Sequence, residues 1–166
     1  MKFQTLIEKR QSCRDFDGKK VPKDVLLSIL EDAHNAPSAR NLQPWHFWIV
    51  EDESLFKKLT DPMRDFVKKA GGFVIITTSN EKIIESSTTH DYRRFDSGIV
   101  TAHVVLAAES RGVKSCIIGS FHDDNVKALI PKLKDLRIQI MVAFGYSNSP
   151  VREKDRELIK NKITYL

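Results

Sequence analysis

Two short segments concentrate the residue types that could bind an organic phosphate and a heterocyclic ring. The first, residues 9–16, reads Lys-Arg-Gln-Ser-Cys-Arg-Asp-Phe and places two guanidinium groups and a hydroxyl at alternate positions. Arg10, Ser12 and Arg14 suit a phosphate monoester, because guanidinium forks pair with phosphate oxygens in a bidentate manner. Taken alone, the same cluster would also fit a solvated surface turn.

The second segment, residues 36–47, combines two amides, a serine and two prolines between an amphipathic helix and an apolar strand. Asn41 and Gln43 carry carboxamides, which both donate and accept hydrogen bonds. The polar edge of a flavin ring has one N–H donor between two carbonyl acceptors, an alternation that carboxamides match. Together the two segments predict a small site for flavin mononucleotide (FMN). The alternative is that these amides satisfy the backbone of their own turn.

In this order, the two motifs resemble the nitroreductase family of FMN-dependent oxidoreductases. That family opens with a pattern like R-x-S-x-R-x-F, matched here at Arg10, Ser12, Arg14 and Phe16. It continues with A-P-S-x-x-N-x-Q-P-W, matched over residues 36–45. The second pattern is the more specific one, since basic clusters are common in proteins.

The resemblance assigns FMN contacts to both motifs, to a later turn and to the C-terminal tail: Arg10, Gln11, Ser12, Arg14, Pro37, Ser38, Ala39, Asn41, Gln43, Ile118, Gly119, Lys154 and Arg156. In the family, the turn that matches Ile118-Gly119 offers main-chain N–H groups toward flavin N5. Basic side chains of the tail close over the phosphate; Lys154 and Arg156 are the best matches and Arg152 is the alternate. Arg40 occupies a variable position and is a candidate for substrate contact.

The resemblance also implies an activity: ping-pong hydride transfer from NADH or NADPH, through flavin N5, to an electrophilic small molecule such as a nitroaromatic or a quinone. No catalytic side chain is assigned, because the chemistry takes place on the flavin. The chain has no GxGxxG or Walker pattern, so the nicotinamide would dock transiently over the flavin. Histidine and cysteine spacings predict no metal site. The alternative class is an FMN-binding storage or sensor protein without turnover.

Length and composition fit one domain over residues 1–166, which is long enough to bury roughly two thirds of its unfolded surface. The N-terminus lacks the apolar run of a signal peptide, and no stretch reaches the length of a membrane span. Two cysteines without a CxxC pattern fit a reducing compartment. We therefore expect a cytoplasmic protein with no membrane partner.

The net charge of +5 lies at the two ends of the chain. Residues 1–24 hold seven Lys/Arg against four Asp/Glu, and residues 152–166 hold five against three. Basic patches attract phosphates of any kind, including nucleic acid. Because nucleic-acid-binding motifs are absent, the pattern favours a phosphate pocket shared by both ends, with no nucleic-acid partner.

Periodicity predicts an α+β fold, with the three α/β/α layers of the nitroreductase family: a mixed central sheet flanked by helices. Predicted helices cover residues 3–10, 24–36, 53–70, 96–111 and 123–130; predicted strands cover 45–50, 73–77, 113–118 and 138–144. We expect Asp24, and Asp123 or Asp124, to cap their helices. Strand 45–50 is apolar enough to be buried on both faces. Residues 79–95 receive no role.

Helix 96–111 is apolar almost all round, so a chain of this size needs a partner to bury it. We therefore expect a homodimer. In the family, the C-terminal tail reaches across the dimer and adds its end to the partner's sheet. The β-prone residues 163–166 would take that position here.

Overall fold

The computed structural model describes residues 2–79 and 91–166; of the segment 79–95, residues 80–90 lie outside this description. In chain order the elements are α1 (Phe3–Lys9), α2 (Lys23–His34), β1 (Trp45–Ile49), α3 (Glu53–Thr60), α4 (Asp65–Lys68), β2 (Gly72–Ser79), α5 (Tyr92–Ser110), β3 (Lys114–Ile118), α6 (Asp123–Leu129) and β4 (Leu136–Gly145). Short 3-10 turns lie at Ala39–Asn41, Pro131–Leu133 and Ile159–Lys162.

The strands form a sheet in the order β1-β2-β4-β3. All three pairings between them are antiparallel. An isolated bridge between Ser12 and Ser115 runs parallel and attaches the first motif to the free edge of β3. The predicted α+β class is confirmed, with a sheet that is antiparallel apart from this bridge.

Helices cover both faces of the sheet. Successive side chains of a strand point to opposite sides, so each central strand contributes to two cores. In β2, Val74 and Ile76 belong to the core that contains α2 and α5 residues such as Ile29 and Val104. Phe73 and Ile75 belong to the second core, with residues of α3, α4 and α6. This gives the three expected layers, with β2 and β4 in the centre.

The prediction that strand 45–50 is buried on both faces is wrong. The strand is β1, at an edge of the sheet, where Trp45 is buried, His46 is exposed and the remaining residues are half-buried. Trp45, Phe47 and Ile49 pack against one core and Trp48 against the other, so both faces of the strand are only partly covered. Trp45 packs into the core while its indole N–H donates to His34 Nδ1 at 3.2 Å.

Four predictions about the helices also differ from the structure. The segment 53–70 forms two helices, α3 and α4, separated near Pro62, which cannot donate a helical hydrogen bond.

Asp24 lies inside the first turn of α2, which follows Pro22, and makes no side-chain cap there. Asp123 and Asp124 likewise lie inside the first turn of α6. Helix α5 begins earlier than predicted, at Tyr92, where the Asp91 carboxylate accepts from the Arg93 main-chain N–H.

Candidate functional site

The first motif lies along the edge of β3. Its main chain is fixed by the Ser12–Ser115 bridge and by the Cys13 N–H, which donates to the Ser115 carbonyl at 2.8 Å. Phe16, the last motif residue, is 2% exposed and packs on Gly145, where an added Cβ would lie 2.7 Å from the ring. The motif is therefore anchored at both ends, as a binding segment requires.

The C-terminal tail is tied to this motif by hydrogen bonds of the Gln11 and Arg152 side chains. The Gln11 side-chain oxygen accepts from the Arg152 main-chain N–H at 3.1 Å and from its Nε at 3.3 Å. The Gln11 amide donates to the Pro150 carbonyl at 3.4 Å, and Arg152 Nη2 donates to the Ser12 carbonyl at 2.8 Å. We call this arrangement the Gln11–Arg152 clamp. It joins residues about 140 positions apart in the sequence.

Beyond the clamp, the tail brings a further cation to the start of the motif. Lys154 Nζ donates to the Ile7 carbonyl, at the end of α1, at 2.5 Å. Burial, together with the positive charges of Arg10 and Arg156, lowers the pKa of the Lys154 ammonium below its usual range. Lys154 therefore lies within electrostatic reach of two other cations, while the carboxylates of Glu8 and Glu109 act on its pKa in the opposite direction. A bound anion would favour the charged form of Lys154. We call Arg10, Lys154 and Arg156 the cation cluster.

The three tail residues considered for phosphate closure occupy different places. Arg152 is held by the clamp, whereas Lys154 and Arg156 lie with Arg10. Arg152 also lines a cavity of about 340 Å³ together with Gln11, Ser12, Arg14 and Lys114. Lys114 is held at 2.7 Å by the buried carboxylate of Glu109, a pair that neither motif contains.

Arg14 extends from the motif into a second cavity of about 310 Å³, which the Ile118-Gly119 turn also lines. Cys116 lies in the wall of this cavity, next to the turn. Burial raises the pKa of the Cys116 thiol, while the guanidinium of Arg14 and the hydroxyl of Ser12 act in the opposite direction. Arg14, Ile118 and Gly119, which the sequence analysis assigned to one ligand, thus share one cavity.

The second motif forms a turn with an uncommon backbone. Arg40, Asn41 and Gln43 have φ values of 52°, 57° and 45°, in the left-handed region that non-glycine residues rarely adopt. Such conformations persist where surrounding contacts fix them, and they cluster at ligand sites. Arg40 and Asn41 are exposed and lie at the tip of the turn.

Three hydrogen bonds that involve side chains help to hold this turn. The Gln43 main-chain N–H donates to Ser38 Oγ at 2.9 Å, and the Gln43 amide donates to the Asn41 carbonyl at 2.6 Å. The Ala39 N–H donates to Asp96 Oδ1 on α5 at 3.1 Å. One N–H of the Gln43 side chain is thus used within the turn, as the alternative interpretation expects, while its carbonyl oxygen remains available to a ligand.

Pro37, Ser38 and Ala39 line a different cavity from the first motif. This cavity has a volume of about 440 Å³ and is otherwise lined by α5, through Tyr92, Phe95, Asp96 and Ile99. It shares no lining residue with the two cavities around Arg14. Within one chain, the two motifs therefore belong to separate surfaces.

Helix α5 presents apolar side chains to solvent beside the second motif. Phe95 is 58% exposed and Ile99 is 37% exposed, with Ala102 and the half-buried Leu106 further along the helix. The opposite side of α5, with Val100 and Val104, is fully buried against the sheet. We call Phe95, Ile99, Ala102 and Leu106 the α5 face.

The sequence analysis missed two residues at the site. Asp96 is 4% exposed and positions the second motif through Ala39. In the sequence analysis Asp96 was only the predicted first residue of a helix. Its hydrogen bond with Ala39 joins residues 57 positions apart, so no local sequence pattern indicates it. Arg64 lines the cavity of the Ile118-Gly119 turn, although it lies outside both motifs.

A larger cavity, of about 620 Å³, lies away from both motifs, between α2, α3 and the start of β2. Its rim combines lysines with carboxylates, as in the Lys23–Glu51 pair at 2.8 Å, and none of the predicted site residues lines it.

Among residues 2–79 and 91–166, no three His, Cys, Asp or Glu side chains gather as a metal site would require. No helix in the same ranges has the length and apolar character needed to cross a membrane.

The model of one protein family, described as the nitroreductase family, matches residues 7–72 and 61–146. These matches cover most of the chain and include both motifs and the Ile118-Gly119 turn. This protein belongs to the nitroreductase family.

Relatives and solved structures agree with this assignment. The chain is 23% identical to the oxygen-insensitive NADPH nitroreductase of Helicobacter acinonychis, over 99% of this chain and 97% of that protein. A nitroreductase family protein from Clostridium difficile 630 shares the fold with a TM-score of 0.88 and 23% identity, over 99% of this chain and 98% of that one. An FMN-dependent nitroreductase from Clostridium difficile R20291 matches with a TM-score of 0.80 and 24% identity, over 96% of each chain.

Proposed function

We propose that this chain forms one nitroreductase domain over residues 1–166 and is an FMN-dependent oxidoreductase. It takes electrons from NADH or NADPH and reduces a small electrophilic molecule such as a nitroaromatic or a quinone. It acts as a homodimer in the cytoplasm, without a nucleic-acid or membrane partner. The names of the NADPH-dependent relative and of the FMN-dependent structure support the cofactor and the donor.

The observation that carries the proposal is the cation cluster. Repulsion among Arg10, Lys154 and Arg156 is one cause of the lowered pKa of Lys154. A phosphate monoester, with close to two negative charges at neutral pH, would relieve that repulsion. Because the Ser12 hydroxyl lies in the same motif, the donor set fits the terminal phosphate of FMN.

Other predicted residues would hold the ring and its side chain. Arg14, Ile118 and Gly119 line one cavity, and Asn41 and Gln43 supply carboxamide groups for the polar ring edge. Pro37, Ser38 and Ala39 line the second cavity, and the exposed Arg40 beside them would contact the substrate. Gln11, predicted as a cofactor contact, would act mainly by fixing the tail through the Gln11–Arg152 clamp.

When bound, FMN supplies the chemistry by accepting a hydride from the nicotinamide and later delivering it to the electrophile. The protein residues would bind and orient: cations would neutralise the phosphate, and Ile118 would contribute an apolar side chain to the cavity wall. Among the described residues, no histidine, aspartate or glutamate lines the Ile118-Gly119 cavity. Hydride transfer requires none.

A homodimer would unite the two separate surfaces into complete sites. The first motif with the tail would come from one protomer, and the second motif with the α5 face from its partner. The tail end is available for exchange, since Tyr165 is 93% exposed and residues 163–166 pair with none of the four described strands. Within residues 2–79 and 91–166, one side of edge strand β1 has no partner strand, and it could accept such a segment.

The proposal is tested by the spectrum and kinetics of the FMN-loaded protein. We expect NADH or NADPH to bleach the bound flavin, and an added quinone to restore the colour. Donor and electrophile would use the same exposed face in turn, so double-reciprocal plots should be parallel. Intersecting plots would contradict the shared face. A loaded protein that neither nicotinamide bleaches would favour the storage or sensor alternative.

A second test concerns the Gln11–Arg152 clamp. Arg152→Ala should weaken FMN binding by about twofold to tenfold, because loss of the clamp leaves Lys154 less well positioned, at a net cost of about 0.5–1.5 kcal/mol. Riboflavin, which lacks the phosphate, should bind as tightly as to the unchanged protein. Binding is measured by fluorescence titration, and limited proteolysis should show faster cleavage of the tail.

The control for the clamp is Lys160→Ala, which removes a tail cation outside the clamp and the cation cluster. If Lys160→Ala weakens FMN binding as much as Arg152→Ala does, general tail charge explains the effect and the clamp has no positioning role.

A further inference from the structure

A buried ion pair lies where α5 ends and β3 begins. Lys114 Nζ donates to Glu109 Oε1 at 2.7 Å, and the Glu109 and Lys114 side chains are 4% and 19% exposed. Such a pair stabilises a fold little compared with apolar residues of the same volume, because both ions lose their hydration. Stability is therefore a weak explanation for the pair, and its position beside the first motif becomes informative.

The turn between α5 and β3 fixes the main chain on both sides of this pair. Gly112 has a φ of 72°, and its N–H donates to the Glu109 carbonyl at 3.0 Å. The Val113 N–H donates to the Ala108 carbonyl at 3.0 Å. These two bonds form a Schellman motif, and the buried Val113 and Ala108 belong to one core. Lys114, the next residue, is thus presented from a rigid segment.

Lys114 lines the cavity of about 340 Å³ that lies beside the Gln11–Arg152 clamp. Among the described lining residues, the cations are Arg14, Lys114 and Arg152. Asp15 is the carboxylate among them, and it accepts a hydrogen bond from the Ser149 hydroxyl. Because cations are in excess, this cavity should concentrate anions.

The Glu109 carboxylate connects this cavity with the cation cluster. It contacts Lys114 directly, and its charge also acts on the pKa of Lys154 in the direction that favours the ammonium form. Lys154 and Lys114 therefore both lie within reach of one buried carboxylate. Lys114 extends the positive charge of the cation cluster to the cavity that Ser12 lines.

We propose that Lys114 binds the terminal phosphate of FMN together with the cation cluster. The inference rests on the proposed function and adds a contact that neither motif nor the tail supplies. Nζ carries three N–H donors, and within residues 2–79 and 91–166 Glu109 is the one acceptor bonded to it. Because Glu109 already orders the Lys114 side chain, the phosphate contact costs little further conformational entropy.

The test compares FMN with riboflavin, which lacks the phosphate, by fluorescence titration. Lys114→Gln should weaken FMN binding by about tenfold or more, because a charge-assisted bond is lost. Riboflavin binding should stay within about twofold. Lys114→Arg, which keeps the charge, should recover part of the loss. The matched control is Lys127→Gln: Lys127 is half-buried and pairs with Asp123 on α6, outside these cavities, so both flavins should bind unchanged.

A charge-balanced variant separates phosphate binding from simple neutralisation of Glu109. Glu109→Gln/Lys114→Gln removes one charge of each sign, and the two amides can still form a hydrogen bond. If Lys114 binds the phosphate, this variant should keep most of the loss of FMN affinity. If FMN affinity returns to that of the unchanged protein, Lys114 serves only as the counterion of Glu109 and the inference is wrong.

Inorganic phosphate gives a readout that requires neither flavin nor turnover. It should raise the melting temperature of the unchanged protein above the value in potassium chloride of the same ionic strength, and raise that of Lys114→Gln less. This result would hold even if neither nicotinamide reduced the flavin, so it is separate from the test of oxidoreductase activity.

Three further outcomes would contradict a phosphate contact. Equal weakening of FMN and riboflavin in Lys114→Gln would mean that the ion pair supports the structure of the site. Unchanged FMN binding in this variant would leave the phosphate to the cation cluster alone. A phosphate-dependent rise in melting temperature that is absent, or equal in both proteins, would exclude Lys114 from anion binding.

Discussion

Arg10→Ala is expected to weaken FMN binding by about tenfold to hundredfold, because it removes charge-assisted bonds worth roughly 1.5–3 kcal/mol. Arg10→Ala/Lys154→Ala removes two cations of the cluster and should weaken binding by about a hundredfold to ten-thousandfold.

Binding is measured by quenching of flavin fluorescence, with FMN and riboflavin titrated in parallel. The losses should be confined to FMN, because the cation cluster addresses the phosphate. Lys9→Ala is the matched control, since Lys9 is an exposed neighbour of Arg10 that the cation cluster does not include. Equal weakening of riboflavin by Arg10→Ala would mean that the cluster supports the fold of the site and does not bind the phosphate.

The cation cluster illustrates what the sequence could predict about the site. Arg10, Ser12 and Arg14 are local in sequence, so their alternation was visible before any fold was known. The basic tail was also visible, as an excess of charge in residues 152–166. The sequence could not show which tail side chain donates to the Gln11 side-chain oxygen. That contact, made by Arg152, joins residues about 140 positions apart.

The secondary structure shows the same division between local and long-range information. Runs such as residues 73–77 identified the central strands, since alternation and β-branching are local properties. The position of β1 at the sheet edge was not predictable from its apolar residues. The residues of a strand indicate that it is apolar, but they do not show how many other strands pair with it. Pro62 indicated the break between α3 and α4. The helical periodicity of residues 53–70 nevertheless favoured one continuous helix.

Positions outside recognisable motifs were the hardest to predict. Asp96 accepts a hydrogen bond from the second motif, and Arg64 lines the Ile118-Gly119 cavity with segments distant in sequence. Neither residue occurs at a spacing that indicates a chemical role. Burial and the lining of a cavity are defined only in the folded chain.

The second large effect is expected from the α5 face, where Ile99→Glu should dissociate the proposed homodimer. In a two-fold interface the substitution occurs in both copies, so two carboxylates would be buried without partners. Each would cost several kcal/mol, and the dimer dissociation constant should rise by at least about a thousandfold. In the isolated chain Ile99 is 37% exposed, so the folded protomer should tolerate the change.

Leu129→Glu provides a matched control for this effect. Leu129 is also 37% exposed, but it belongs to α6, which packs on the other face of the sheet from α5. Sedimentation is followed at a wavelength that bound flavin absorbs, so subunit mass and FMN content are read together. Leu129→Glu should remain dimeric and coloured.

If each site takes the first motif from one protomer and the second from its partner, Ile99→Glu should lose its FMN as it dissociates. Circular dichroism should show a folded chain throughout. A folded Ile99→Glu monomer that keeps FMN would mean that one chain contains the whole site. The separation of the two motifs into different cavities argues against that result, because Ser12 and Arg14 line one cavity and Ser38 lines another, so a ligand bound to one chain alone would miss one of the two motifs.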